Sequence, residues 1–137
     1  MVDTEYLRSR IRELREVIGE VKRVTSKQYS GLSLDEKYSL RYHVVVLAEA
    51  LGSICLHMAM DDFGREPESY SACFKLLEEK GLTSCCEELV KMARLRNILV
   101  HRYWTVDDVK VYDFVKGNFK CVEQLIKGVE ERYGISV

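Results

Sequence analysis

One proline interrupts the 137 residues, Pro67 in the stretch GREPES, and only 8 glycines accompany it. Proline has no amide hydrogen and its ring clashes with the preceding turn, so each one marks a place where a helix must break. With a single break of this kind, helix is the default for nearly the whole chain. The apolar residues agree with it. Leu7, Ile11, Leu14, Ile18 and Val21 recur at alternating spacings of four and three, a narrow seam against a charged outer face.

Local signals divide this pattern into five helices. The first is expected from Thr4 to about Tyr29, ending at the loop SGLS. Ser33 followed by Glu36 forms a capping box, in which two side chains satisfy orphaned amides at a helix start. The second helix runs from there to about Asp61. Its middle, VVVLAEALGSICLHMAM from Val44 to Met60, is apolar nearly all round and belongs at the centre of a bundle or between two subunits. After GREPES a short helix spans about Tyr70 to Lys80 and stops at Gly81, a common C-cap residue. Ser84 with Glu87 reads as a second capping box, opening a fourth helix to at least Val100. Thr105 is placed to cap a final helix to about Tyr133, where Tyr112, Val115, Phe119, Val122, Ile126, Val129 and Tyr133 alternate by three and four. No segment reads as a strand. The expected fold is all-α, an up-and-down bundle of four long helices and one short one, with residues 1–137 as a single domain.

A formal charge of −1 leaves any nucleic-acid contact to a local patch rather than to the overall field. Five cysteines, with no CxxC spacing and an odd count, point to reduced, buried thiols and a cytoplasmic protein rather than to a disulfide framework. The N-terminus MVDTEYLRSRIREL is too charged for a secretory signal. The run Val44–Met60 falls short of a membrane span and contains Glu49 and His57, so no membrane is expected.

Polar residues on apolar helices carry the functional information. Glu49, Ser53 and His57 sit four apart on one face of the second helix. A carboxylate there is costly alone, so either Glu49 meets a cation from another helix or the stripe faces a wet cleft. The second concentration is RNILVHRY, residues 96–103. At about 100° per residue, Asn97 and His101 share a face one turn apart, and Arg96 and Tyr103 fall within about 20° of each other if the helix continues that far. Leu95, Ile98 and Leu99 take the other side. From Leu89 to Val106 there is no acidic residue, while Lys91, Arg94, Arg96 and Arg102 are cationic. Helix C-termini favour cations in any case, and a phosphate-binding patch is the alternative. Beside an RNA phosphodiester the roles are plain. His101 can remove the 2′-hydroxyl proton or protonate the leaving oxygen, Arg96 can stabilise charge on phosphorus, and Asn97 can orient His101 or hold a non-bridging oxygen. No metal or cofactor is needed, and no HxxxH spacing is present. His43 and His57 read as helix-boundary and interior histidines, and Trp104 and Tyr112 as packing residues before base-stacking ones.

RNILVHRY resembles the R-N-x-x-x-H-x-Y signature of the HepT-like branch of the HEPN (higher eukaryotes and prokaryotes nucleotide-binding) proteins. PESYSACFKLLEEKGL, the context LVKMARLRNILVHRYWTVD and the Glu49 helix are also similar to that branch, so the resemblance covers roughly Leu34 to Ile135. It implies a small α-helical homodimer acting as a toxin that cleaves RNA without metal, the two motifs facing a shared cleft. By position Arg96 and His101 would be catalytic, with Asn97 supporting. Glu49 is a candidate second layer behind them, and Arg102 a candidate phosphate contact. The implied partner is a minimal nucleotidyltransferase antitoxin that transfers AMP to Tyr103. A non-catalytic partner subunit that binds nucleotide or phosphate is the alternative. A purely structural bundle leaves the polar face of the fourth helix unexplained.

Overall fold

Asp3 opens the first helix: its carboxylate accepts from the amides of Glu5 and Tyr6, both at 3.1 Å. In the computed structural model, which describes residues 1–117 and 119–137, this helix, α1, spans Thr4–Thr25. Leu7, Ile11 and Leu14 are wholly buried along its seam, followed by Ile18, Val21 and Val24. It ends before Tyr29 because the phenol of Tyr112 donates to the carbonyls of Thr25 (3.2 Å) and Lys27, satisfying them outside the helix. Residues Tyr29–Gly31 form a separate 3₁₀ turn.

The Ser33–Glu36 capping box is present, with Glu36 N–H donating to Ser33 Oγ at 3.1 Å and Ser33 N–H to Glu36 Oε1 at 3.0 Å. Hydrogen bonds from Lys27 and the Ser33 amide lower the Glu36 carboxyl to about 2. Helix α2 then runs Leu34–Asp61. It is longer than the apolar run within it and, contrary to the expectation from that run alone, is long and apolar enough to cross a membrane. Here it is the central helix, packed against α1 and three helices that follow.

Helix α3, Tyr70–Glu79, is capped by Ser69 Oγ, which accepts from Ala72 N–H at 3.1 Å. Gly81, at φ 75°, ends it. Gly81 N–H bonds the Glu78 carbonyl at 3.0 Å and Leu82 N–H the Leu77 carbonyl at 2.9 Å, the Schellman arrangement.

Helix α4 spans Cys86–His101. The expected Ser84–Glu87 box does not form. Ser84 is drawn instead to Gln124, its Oγ accepting from Nε2 at 2.8 Å and its amide donating to Oε1 at 3.2 Å. The expected long final helix is described as α5, Asp108–Gly117, and α6, Phe119–Tyr133, with residue 118 outside the described residues. Thr105 does not cap α5. It closes a 3₁₀ turn, Tyr103–Thr105, while Asp107 Oδ1 accepts the amide of Val109 at 3.0 Å. Val115, Val122, Ile126 and Val129 are buried as the spacing anticipates. The architecture is an all-α bundle, with no strand among the described residues.

The reduced-thiol expectation is corrected. Cys55 bonds to Cys73, and Cys85 to Cys121, leaving Cys86 as the free, buried thiol. Helix packing sets the two pairs of Cα atoms at 6.0 and 5.6 Å, within bridging range. Sequence spacing cannot reveal that distance. The first bond ties α3 to α2. The second ties the entrance of α4 to α6.

Candidate active site

The octet RNILVHRY occupies the last turns of α4 and the turn beyond it. Arg102, at φ −138° and ψ 40°, leaves the helix, and its amide closes on the Ile98 carbonyl at 2.8 Å. The Arg96–Tyr103 alignment expected for a continuous helix therefore lapses. The Asn97–His101 pairing, one turn apart, survives, and both residues are exposed. On the opposite side Leu99 is buried and Leu95 half-buried. Ile98 and Val100 depart from the simple two-faced pattern: they are 38% and 41% exposed.

Glu49, half-buried on α2, meets a cation. Arg96 Nε donates to Glu49 Oε1 at 2.7 Å, and Nη2 donates to the same oxygen. Arg96 Nη1 donates to Asn97 Oδ1 at 2.7 Å. Of the two alternatives left by the sequence, the first holds: Glu49 meets a cation from another helix, and Arg96 of that pair borders a cleft. The cleft measures about 290 Å³ and lies between Leu56 of α2, Ser69, Tyr70 and Ser71 at the start of α3, and Ala93, Arg96 and Asn97 of α4.

Tyr70 completes the cluster, and no sequence argument singled it out. Its hydroxyl donates to Glu49 Oε2 at 2.9 Å, and the Arg96 guanidinium lies 5.9 Å from its ring centroid. Burial, then the bond to Glu49, pushes the phenol above its ordinary range and keeps it a donor. The ring packs where Gly52 carries no side chain: a Cβ there would stand 2.5 Å from ring atoms. An isolated glycine within an apolar helix is the one sequence signal that could have pointed to this close approach.

The remaining candidates stand apart. His101 and Arg102 are exposed at the end of α4. Tyr103 is 62% exposed, its ring 5.4 Å from that of Trp104. A further residue missed from sequence holds this turn: Arg41 of α2 pairs with Asp108 at 2.6 and 2.9 Å and donates to the Tyr103 carbonyl at 3.5 Å. His57 is an internal tie, accepting from Asp3 N–H at 3.0 Å and pairing with Asp61 at 3.0 Å. His43 bonds the Ser39 carbonyl at 2.7 Å, and Tyr112 is buried packing.

Comparison with curated proteins finds no match. Among solved structures, the cytosolic protein of unknown function YutE from Bacillus subtilis aligns with a TM-score of 0.83 at 20% identity, over 99% of this chain and 96% of that one. A tri-AMPylated Shewanella oneidensis HEPN toxin, solved in complex with an MNT antitoxin, aligns at 0.84 with 23% identity, over 96% and 99%. A toxin–antitoxin complex with AMP-PNP aligns at 0.83 with 22% identity, over 93% and 98%. At these identities the likeness is one of fold. The family is decided by sequence: residues 7–129 match the model described as "Ribonuclease HepT-like". This chain belongs to the HepT-like family.

Proposed function

We propose that the protein is a ribonuclease toxin that cuts RNA without metal, in a site completed by a second copy of the chain. The observation that carries this reading is the placement of the motif: Arg96 at the edge of a cleft, and His101 exposed one turn beyond Asn97 on the same helix. Five residues turn a helix by about 140° past a full turn and advance it about 7.5 Å, so Arg96 and His101 leave α4 on different faces. Two copies placed motif to motif can supply both groups to one phosphodiester. The exposed Ile98 and Val100 give such a contact its apolar area.

In the reaction, the ribose 2′-oxygen attacks phosphorus, its proton is removed, and the 5′-oxygen leaves with a proton. His101 serves one of these transfers, and Arg96 balances the charge that builds on the phosphoryl oxygens. Asn97 holds Arg96 through Nη1. Arg102 adds a phosphate contact. The partner is a minimal nucleotidyltransferase that switches the toxin off. The Tyr103 oxygen attacks the α-phosphorus of ATP, loses its proton and releases pyrophosphate. The resulting AMP puts bulk and negative charge beside the site and repels RNA.

The test is RNA digestion in EDTA by the purified protein. Wild type is expected to cut and His101→Ala to lose cutting while its circular dichroism stays helical; undiminished cutting by that variant overturns the assignment. A second reading, a non-catalytic phosphate-binding subunit of the nucleotidyltransferase, is favoured by one observation, the commitment of Arg96 to Glu49. Wild type that binds RNA without cutting it would select that reading.

A further inference from the structure

The chain has one tryptophan, and it lies on the surface. Trp104 is 70% exposed, more than any other large apolar side chain among the described residues except Met1. The expectation that it packs is therefore corrected. Its ring meets that of Tyr103 with the two planes 84° apart. Rings crossed in this way touch over little of their area, and at this exposure most of the indole stays flat, apolar and in water. The turn that carries it is held firmly. Thr105 N–H donates to the Arg102 carbonyl at 2.9 Å, and the Thr105 hydroxyl to the same oxygen at 2.8 Å. Val106 N–H donates to the Tyr103 carbonyl at 3.3 Å, which Arg41 also reaches from α2. A ring presented on a fixed turn receives a flat partner at little further cost in entropy.

The charges around the ring select that partner. Exposed Arg102 and His101 stand two and three residues before it. Three residues of chain reach at most about 11 Å, a span that one or two nucleotides cover. Arg94, also exposed, lies seven residues before His101 and so on the same face of α4. Neither Arg94 nor Arg102 pairs with a carboxylate among the described residues. The acids that follow are engaged, Asp108 with Arg41 and Asp107 with the Val109 amide. A polyanion that carries flat apolar faces answers both the cations and the ring. We propose that Trp104 is a stacking platform for an unpaired base beside the phosphate on which Arg96 and His101 act, so that the substrate class is single-stranded RNA. The inference rests on the ribonuclease reading. In a duplex each base is covered above and below by its neighbours, whereas a loop or free strand can splay a base onto the indole. Every base has such a face, so the ring selects strand state rather than base identity.

Trp104 reports on itself, since no other tryptophan emits. A short 2′-O-methyl single-stranded RNA, which cannot be cut through its 2′-oxygen, is titrated into the protein in EDTA. Binding is expected to quench the tryptophan emission in step with the anisotropy of a fluorescein label on the RNA; binding that leaves the emission unchanged overturns the proposal. By anisotropy, Trp104→Ala is expected to weaken single-strand binding about tenfold, and Trp104→Phe to keep most of it, as a base stack requires. The same RNA annealed to its complement is expected to bind wild type and Trp104→Ala equally, which a merely structural role for the ring would not allow. Wild-type affinity of Trp104→Ala for the single strand, or an equal loss for the duplex, overturns the inference. Loss of association with a second copy or with the nucleotidyltransferase, at unchanged RNA affinity, assigns the ring to a protein partner and overturns it too. The emission measurement uses the unaltered protein and stands even if Trp104→Ala misfolds. A wild type that neither binds nor cuts RNA removes the ribonuclease reading, and this inference with it. A wild type that binds and cuts single strands, with emission and variants unaffected, removes this inference alone.

Discussion

Each polar residue of RNILVHRY has its own surroundings, and these separate the jobs. Arg96 is held by three hydrogen bonds, whereas Tyr103 stands in solvent with its ring against Trp104. Tyr103→Phe removes the acceptor oxygen and little else. That variant is expected to keep RNA cleavage and to gain no AMP mass on incubation with the nucleotidyltransferase and ATP; an AMP adduct on it would place the acceptor elsewhere, with the exposed Tyr38 and Tyr42 the next to examine. The sequence showed which residue types were present and that Asn97 and His101 share a face. It did not show that Asn97 would turn to Arg96 rather than to His101, because that choice depends on where Glu49 holds the guanidinium.

At the scale of elements, α2 organises the site. It supplies Glu49 to Arg96, Gly52 to the Tyr70 ring and Arg41 to the turn that bears Tyr103. Its start was legible because the Ser33–Glu36 box is local, made by residues three apart. Its glycine was not, since the need for it arises from a ring on another helix. Gly52→Ala puts a methyl group within 2.5 Å of that ring. The ring must move, and overpacking of this kind costs about 1–3 kcal/mol. Urea denaturation is expected to show that loss; unchanged stability would mean the ring has an alternative seat. The failed Ser84 box and the displaced Thr105 cap follow the same logic in reverse. Both sequences were compatible with caps, and partners distant in sequence or a neighbouring aspartate took precedence.

Across the whole molecule, two disulfide bonds tie the helices: Cys55–Cys73 joins α2 to α3 inside the contiguous core that Phe74, Leu51 and Leu89 help fill, and Cys85–Cys121 joins the α4 entrance to α6 at half-buried positions. Titration of the denatured, unreduced protein is expected to find one thiol per chain, that of Cys86. Reduction should lower the melting temperature, since a bond of this kind typically contributes about 2–4 kcal/mol. Five titratable thiols in protein purified without reductant would return the cysteines to the reduced state expected from composition.

Helix content, the α1 seam, the Ser33 cap, the Gly81 stop and the presence of a polar octet on an apolar helix were determined by sequence alone. All of them depend on neighbours within a turn or two, where residue order is already geometry. The partner of Glu49, the seat of Tyr70, the grip of Arg41 and the cysteine pairing were decided only by tertiary structure. These contacts join residues between 18 and 67 positions apart, which no periodicity records and only packed helices bring within a few ångströms.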